Sequence, residues 1–153
     1  MRTLKPGFSV AGVALLIACG GGEKEEHAAA DTHKAAAPTT TPGAPLTPKE
    51  GGKVITIELT TDEKGVNKFT PNDFEAHQGD VLRFTLGSGV HNVNFLADSN
   101  RTLASPITSP LLQLPGQTYD VAVDFPEGRY YFQCDPHALL GMVGHLKVEE
   151  REK

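Results

Sequence analysis

Residues 134–142 read CDPHALLGM, placing Cys134, His137 and Met142 within nine residues at the spacing C-x2-H-x4-M. A thiolate, an imidazole and a thioether are soft donors, and a second imidazole is available upstream at His91. This is the ligand set of a mononuclear copper site. A thiolate gives a strong, covalent bond, imidazole nitrogen suits both copper oxidation states, and a thioether is a weak axial ligand that favours Cu(I). A site acceptable to both states reorganises little when an electron passes. Taken singly, each residue has a plainer reading. Cys134 is a buried structural thiol, His91 a strand-edge histidine, and Met142 a gap-filling core residue. The spacing is what joins them, since a bare C-x2-H is weak.

These donors must be positioned by strands. From residue 51 the texture is short, alternating and β-branched, with Gly and Pro punctuation. Strands are predicted over 53–60, 74–77, 81–86, 91–96, 117–123, 129–134 and 144–149. Seven to eight such strands without a convincing helix predict an all-β, Greek-key sandwich, read as antiparallel. Residues 97–114 fit this pattern least and read as a long crossover holding a short strand or a helical turn. Along 129–134, period two puts Tyr130, Phe132 and Cys134 on the core face and Tyr131 and Gln133 on the other.

The N-terminal third differs. Arg2 and Lys5 precede the apolar run Phe8–Ala18, and small residues lead into Cys19. This is the plan of a secretory leader over 1–18. The run is too short to span a membrane comfortably. The stretch Leu16-Ile17-Ala18-Cys19 resembles the lipobox of bacterial lipoproteins, which implies that Cys19 is lipidated and begins the mature chain. A plain leader that happens to contain a cysteine is the alternative. Residues 20–50 are rich in Gly, Ala, Pro, Thr and charge and contain no aromatic, so residues 19–50 read as a disordered tether. His27 and His33 in it read as solvated linker residues. The domain is then 51–150. Losing the leader would take the net charge from −5 to −7, because it holds two basic and no acidic residues. Such a charge argues against a nucleic-acid partner. With Cys19 lipidated, Cys134 is the single thiol of an exported chain, which marks it as a metal ligand or a reactive group. A Cys19–Cys134 disulfide is the other possibility.

With those residues in view, the sequence resembles the cupredoxins, and among them the plastocyanin and pseudoazurin type. The resemblance rests on His91-Asn92-Val93, on Tyr130 through His137, on Gly141-Met142-Val143-Gly144, and on Phe69-Thr70-Pro71 followed by Gly79-Asp80. It covers about 52–149. It implies one copper ion held by His91, Cys134, His137 and Met142. It implies that the Asn92 backbone amide hydrogen-bonds the cysteine sulfur while the Asn92 side chain ties two ligand loops together. It implies a docking collar in which Val90, Leu139 and Leu140 stand with Pro136 and Ala138 around the downstream histidine. Leu139 and Leu140 otherwise read as core. Two positions depart from the pattern: Gln133 stands where plastocyanins carry an exposed tyrosine, and Val90 where proline is common. No acidic patch is concentrated beside these strands. His77 and His145 have no place in the pattern and read as ordinary strand residues.

The function implied is a one-electron carrier, expected as a monomer tethered to a membrane by lipid. It would meet redox partners such as a cytochrome or membrane oxidoreductase, in the periplasm or at the cell surface. It is not expected to be an enzyme, since no second metal site is visible in the sequence. A copper storage or delivery protein is the alternative, weakened by the presence of only two methionines. A cysteine-nucleophile enzyme is a third reading, made remote by the buried strand end. Pro136 has no amide proton to give the sulfur. Fewer hydrogen bonds to a thiolate favour Cu(I) and raise the potential. Pro136→Ala is therefore expected to lower the reduction potential, as read by voltammetry; an unchanged or higher value would contradict this role.

Overall fold

The computed structural model describes residues 45–152. The predicted leader, Cys19 and most of the predicted tether lie outside the described residues. Two sheets face each other. One has four strands, β1 (Val54–Thr61), β2 (Asn67–Thr70), β4 (Val81–Leu86) and β7 (Thr118–Ala122), in the order β2-β1-β4-β7. The other holds β3 (Asp73–His77), β5 (Asn94–Phe95), β6 (Ile107–Thr108), β8 (Gly128–Gln133) and β9 (Val143–Glu149), in the order β3-β9-β8-β5-β6. A short 3-10 helix, Asp135–Leu140, follows β8.

The all-β sandwich matches the expectation, with nine strands among the described residues where seven or eight are expected. Pure antiparallel pairing is corrected. β1 runs parallel to β4 and β3 parallel to β9, so both sheets are mixed. Side-chain alternation reports which face is buried, not which way a neighbour runs. The predicted strand over 91–96 shrinks to two residues. Its first part pairs irregularly, with His91 bridging Leu112 and the Val93 amide donating to Ser109 Oγ at 2.9 Å.

Period two explains the core. Ile57 and Leu59, Phe84 and Leu86, and Tyr119 and Val121 point inward from the first sheet, and Tyr130, Phe132, Leu146 and Val148 from the second. Phe132 is the hub. Its ring lies 5.0, 5.2 and 5.6 Å from those of Phe69, Phe95 and Phe84. It fits because Gly144 is its cross-strand partner. A Cβ at 144 would fall inside the Phe132 ring. At the start of β4 the buried Asp80 carboxylate accepts the amides of Lys53 and His77, both at 2.9 Å, and pairs with Arg151. Residues before β1 lie along the same sheet. The Leu46 amide donates to Asp120 Oδ2 at 2.8 Å and the Lys49 amide to the Gly79 carbonyl at 2.9 Å.

Overpacking a well-filled core costs about 1–3 kcal/mol, because rings leave their rotamers and strands shift. Gly144→Ala is expected to lose at least that much in denaturant unfolding, with the loss relieved by Phe132→Leu in the same chain.

Candidate metal centre

Three of the four predicted donors converge. His91 Nδ1 lies 3.2 Å from His137 Nδ1, and Cys134 Sγ lies 3.6 Å from His91 Nδ1 and 3.4 Å from His137 Nδ1. The three donor atoms fall within 4.8 Å of one another. A point equidistant from them is about 2 Å from each, the range of metal–nitrogen and metal–thiolate bonds. A soft thiolate with two imidazoles suits copper. Cys134 and His91 are fully buried and His137 is half-buried.

Local sequence explains the convergence. Cys134 ends the inward face of β8, as period two requires. The next residues turn back as a 3-10 helix that Pro136 helps to start and Gly141 closes in the left-handed region. The return is stitched by backbone bonds: the Met142 amide donates to the His137 carbonyl and the Cys134 amide to the Met142 carbonyl, both at 3.1 Å. Met142 is thereby carried back beside Cys134 and is fully buried in the same core cluster.

His91 arrives from the other side of the chain and is fastened twice. Its amide donates to the Leu112 carbonyl at 3.1 Å, and Leu112 returns the bond at 2.7 Å. Asn92 then staples the two ligand segments. Its Nδ2 donates to Asp135 Oδ2 at 2.7 Å, while the Asp135 amide donates to Asn92 Oδ1 at 2.7 Å. Asn94 and Gln133 add side-chain amides to the same carboxylate at 2.9–3.1 Å. Burial pushes the Asp135 carboxyl up, but the amides of Gln133, Asn92 and Asn94 outweigh it and hold it below the ordinary range. Asp135 lies within the sequence motif and Asn94 just beyond His91-Asn92-Val93, but neither has a role legible from sequence. Their polarity beside the motif was visible, their mutual contact was not. Gln133 also accepts the Tyr131 hydroxyl at 3.0 Å, so a phenol stands on the same face of β8, two residues before the predicted position.

The His137 amide donates to the Cys134 carbonyl at 3.0 Å, which ties the start of the 3-10 helix to the end of β8. Val90, Leu139 and Leu140 are all exposed, Leu139 fully, so the pair at 139–140 is surface and not core. Pro136 is exposed as well. His77 lies on β3, 3.6 Å from Glu149, and His145 on β9 beside the Tyr131 ring, 5.8 Å away. Neither joins the cluster.

Burial pushes the Cys134 thiol up, opposed by the Asn92 and His137 backbones. Burial first, and His137 second, push the His91 imidazole down. A raised thiol keeps its proton at neutral pH, while a lowered imidazole has already lost its own. A metal ion must therefore displace the thiol proton. Apparent copper affinity is expected to rise with pH, by about tenfold per unit for one displaced proton, and to level off only above the thiol pKa. Competition titrations across pH, with proton release counted by calorimetry, check this; a flat profile would contradict it.

A family model described as copper binding proteins, plastocyanin/azurin family, matches residues 55–149. Plastocyanin of Vicia faba is 42% identical over 86 residues, covering 52% of this chain and 86% of that one. Chloroplastic plastocyanin of Oryza sativa subsp. indica is 36% identical over 102 residues, covering 64% of this chain and 66% of that one. The crystal structure of pseudoazurin from Methylobacterium extorquens AM1 superposes with a TM-score of 0.53 at 25% identity, covering 65% of this chain and 78% of that one. The His91–Cys134–His137–Met142 cluster is of the type 1 copper-site kind, and the chain belongs to the plastocyanin/azurin family of copper-binding proteins.

Proposed function

We propose that the chain is a one-electron carrier in which His91, Cys134, His137 and Met142 hold a single copper ion. The observation that carries this is the convergence of a buried thiol and two imidazole nitrogens at metal-bonding separations. Bound there, copper supplies a Cu(I)/Cu(II) couple. The chain supplies the rest. Cys134 and His91 are dry, which excludes water from the metal and keeps the donors from rearranging. The bonds from the His137 amide to the Cys134 carbonyl and from the Cys134 amide to the Met142 carbonyl hold the downstream ligand loop closed. The double attachment of His91 to Leu112 and the staple from Asn92 to Asp135 hold the donor geometry against the differing preferences of the two oxidation states.

His137 is the half-buried donor, and the exposed Leu139 and Leu140 follow it in the same 3-10 helix. With Val90 they form a small apolar surface suited to weak, short-lived encounters with redox proteins such as a cytochrome or membrane oxidoreductase. This supports electron passage at His137. The chain works as a monomer. It is exported, with a leader over 1–18, a lipid on Cys19, a tether over 19–50 and the domain over 51–150. It acts in the periplasm or at the cell surface. That assignment is supported by the sequence pattern around Cys19.

Loading the purified chain with Cu(II) is expected to give an intense blue thiolate-to-copper band that a reductant bleaches and an oxidant restores. Cys134→Ala should remove the band entirely. Colour that survives the substitution would overturn the ligand set. Tight Cu(I) binding without a coloured Cu(II) form would point instead to copper storage or delivery.

A further inference from the structure

The His91 ring has an outer nitrogen as well as the one that faces Cys134, and the structure gives that nitrogen a partner from the opposite sheet. His91 Nε2 lies 3.0 Å from Thr61 Oγ1. Thr61 Oγ1 lies in turn 2.7 Å from Asn67 Oδ1, and Asn67 Nδ2 lies 3.3 Å from the Gly65 carbonyl. The polarity of each link follows from the one before. The Gly65 carbonyl can only accept, so the Asn67 NH2 faces it and Oδ1 faces Thr61. Oδ1 can only accept, so the Thr61 hydroxyl proton is donated there. The lone pairs of Thr61 Oγ1 are then left to accept a proton from His91 Nε2. A neutral imidazole carrying its proton on Nε2 presents a bare lone pair at Nδ1.

We propose that Thr61, backed by Asn67, is a positioning residue that holds the His91 ring with Nε2 as donor and Nδ1 aimed at the metal. Thr61 is the last residue of β1 and Asn67 the first of β2, and the two are cross-strand partners. The tight connection between them is closed by Asp62, which accepts the amides of Lys64 and Val66 at 2.9 Å. A hairpin with no donor of its own thus acts on the ring from behind. The approach needs a bare backbone at Gly89. That residue sits at φ +86°, and a Cβ there would overlap Thr61 Oγ1 and come within 2.7 Å of His91 Nε2. Ser88 reinforces the contact, its hydroxyl donating to the Thr61 carbonyl at 2.8 Å and accepting the Thr61 amide at 3.0 Å.

The inference rests on the proposed function only in naming what Nδ1 faces. Its first test therefore needs no copper. In the 15N-labelled, copper-free chain, the His91 Nε2–H is expected to be visible and slow to exchange with water. Thr61→Val, which keeps the β-branched shape and removes the hydroxyl, should speed that exchange several-fold, and Thr61→Ser should restore it. With copper, Thr61→Val should lower affinity by about 10–100-fold, the usual effect of removing an outer partner of a ligating histidine, and Thr61→Ser should recover it. Asn67→Ala should act in the same direction, and the double variant Thr61→Val/Asn67→Ala should be no worse than Thr61→Val, because the two residues act in series. If Thr61→Val fails to fold, Asn67→Ala decides by the same two readouts. Unchanged exchange and affinity, or strictly additive losses, would overturn the relay. A wild-type chain that bound no copper would sink the proposed function, while the exchange measurement would still decide the relay.

Discussion

Everything at this centre depends on a reciprocal pair of hydrogen bonds between Asn92 and Asp135, residues 43 positions apart in the chain. One ligand segment follows β4 and the other follows β8, and nothing local obliges them to meet. The Asn92 side chain supplies a donor and an acceptor in a single plane, and Asp135 answers with its carboxylate and its own amide. The pairing fixes distance and orientation together, because it can form only when both segments lie in register. A charged acceptor also makes each bond stronger than its neutral counterpart. His91 and Cys134 are the immediate neighbours of the two residues, so a shift here becomes a shift in donor separation.

The core serves the same end. Phe132 sits two residues before Cys134 on the inward face of β8, wedged among Phe69, Phe84 and Phe95 and seated over Gly144. A ring so confined cannot let its strand slide, and the strand cannot slide without moving the sulfur. Burial then decides the charge state. A dry thiol keeps its proton and a dry imidazole sheds its own. The desolvation that would penalise an isolated thiolate is met by the ion that replaces the proton.

Much of this was legible from the residues. Cys134, His137 and Met142 are contiguous, and one strand ending in one tight return brings them together, so spacing alone reveals them. Alternation along 129–134 assigned Tyr130, Phe132 and Cys134 to the core face, where they lie. Other features depend on register and cannot be read along a chain. β2 has one inward residue, Phe69, in four, too few for alternation to be seen. The parallel pairings of β1 with β4 and β3 with β9 leave no mark on composition. Thr61 and Asn67 look like the ends of an ordinary hairpin, and only the sandwich sets that hairpin behind His91. Asn94 and Gln133 are plain polar residues until the 3-10 helix turns Asp135 toward them. Val90, Leu139 and Leu140, which the resemblance would set in a docking collar, are exposed.

The parallel pairings have a consequence in time. Neither can form as a hairpin; each waits for a long loop to close, and topologies rich in such contacts fold slowly. Three of the four donors sit on one nine-residue segment and need no such closure. A copper ion that met the chain before folding would therefore find a sulfur, an imidazole and a thioether already close in sequence, with His91 still remote. The fourth donor would arrive only as the segment after β4 docks on the end of β8, where Asn92 meets Asp135. In that order of events the downstream loop would offer its donors first and His91 would complete the set, so closing the site would be a late step of folding.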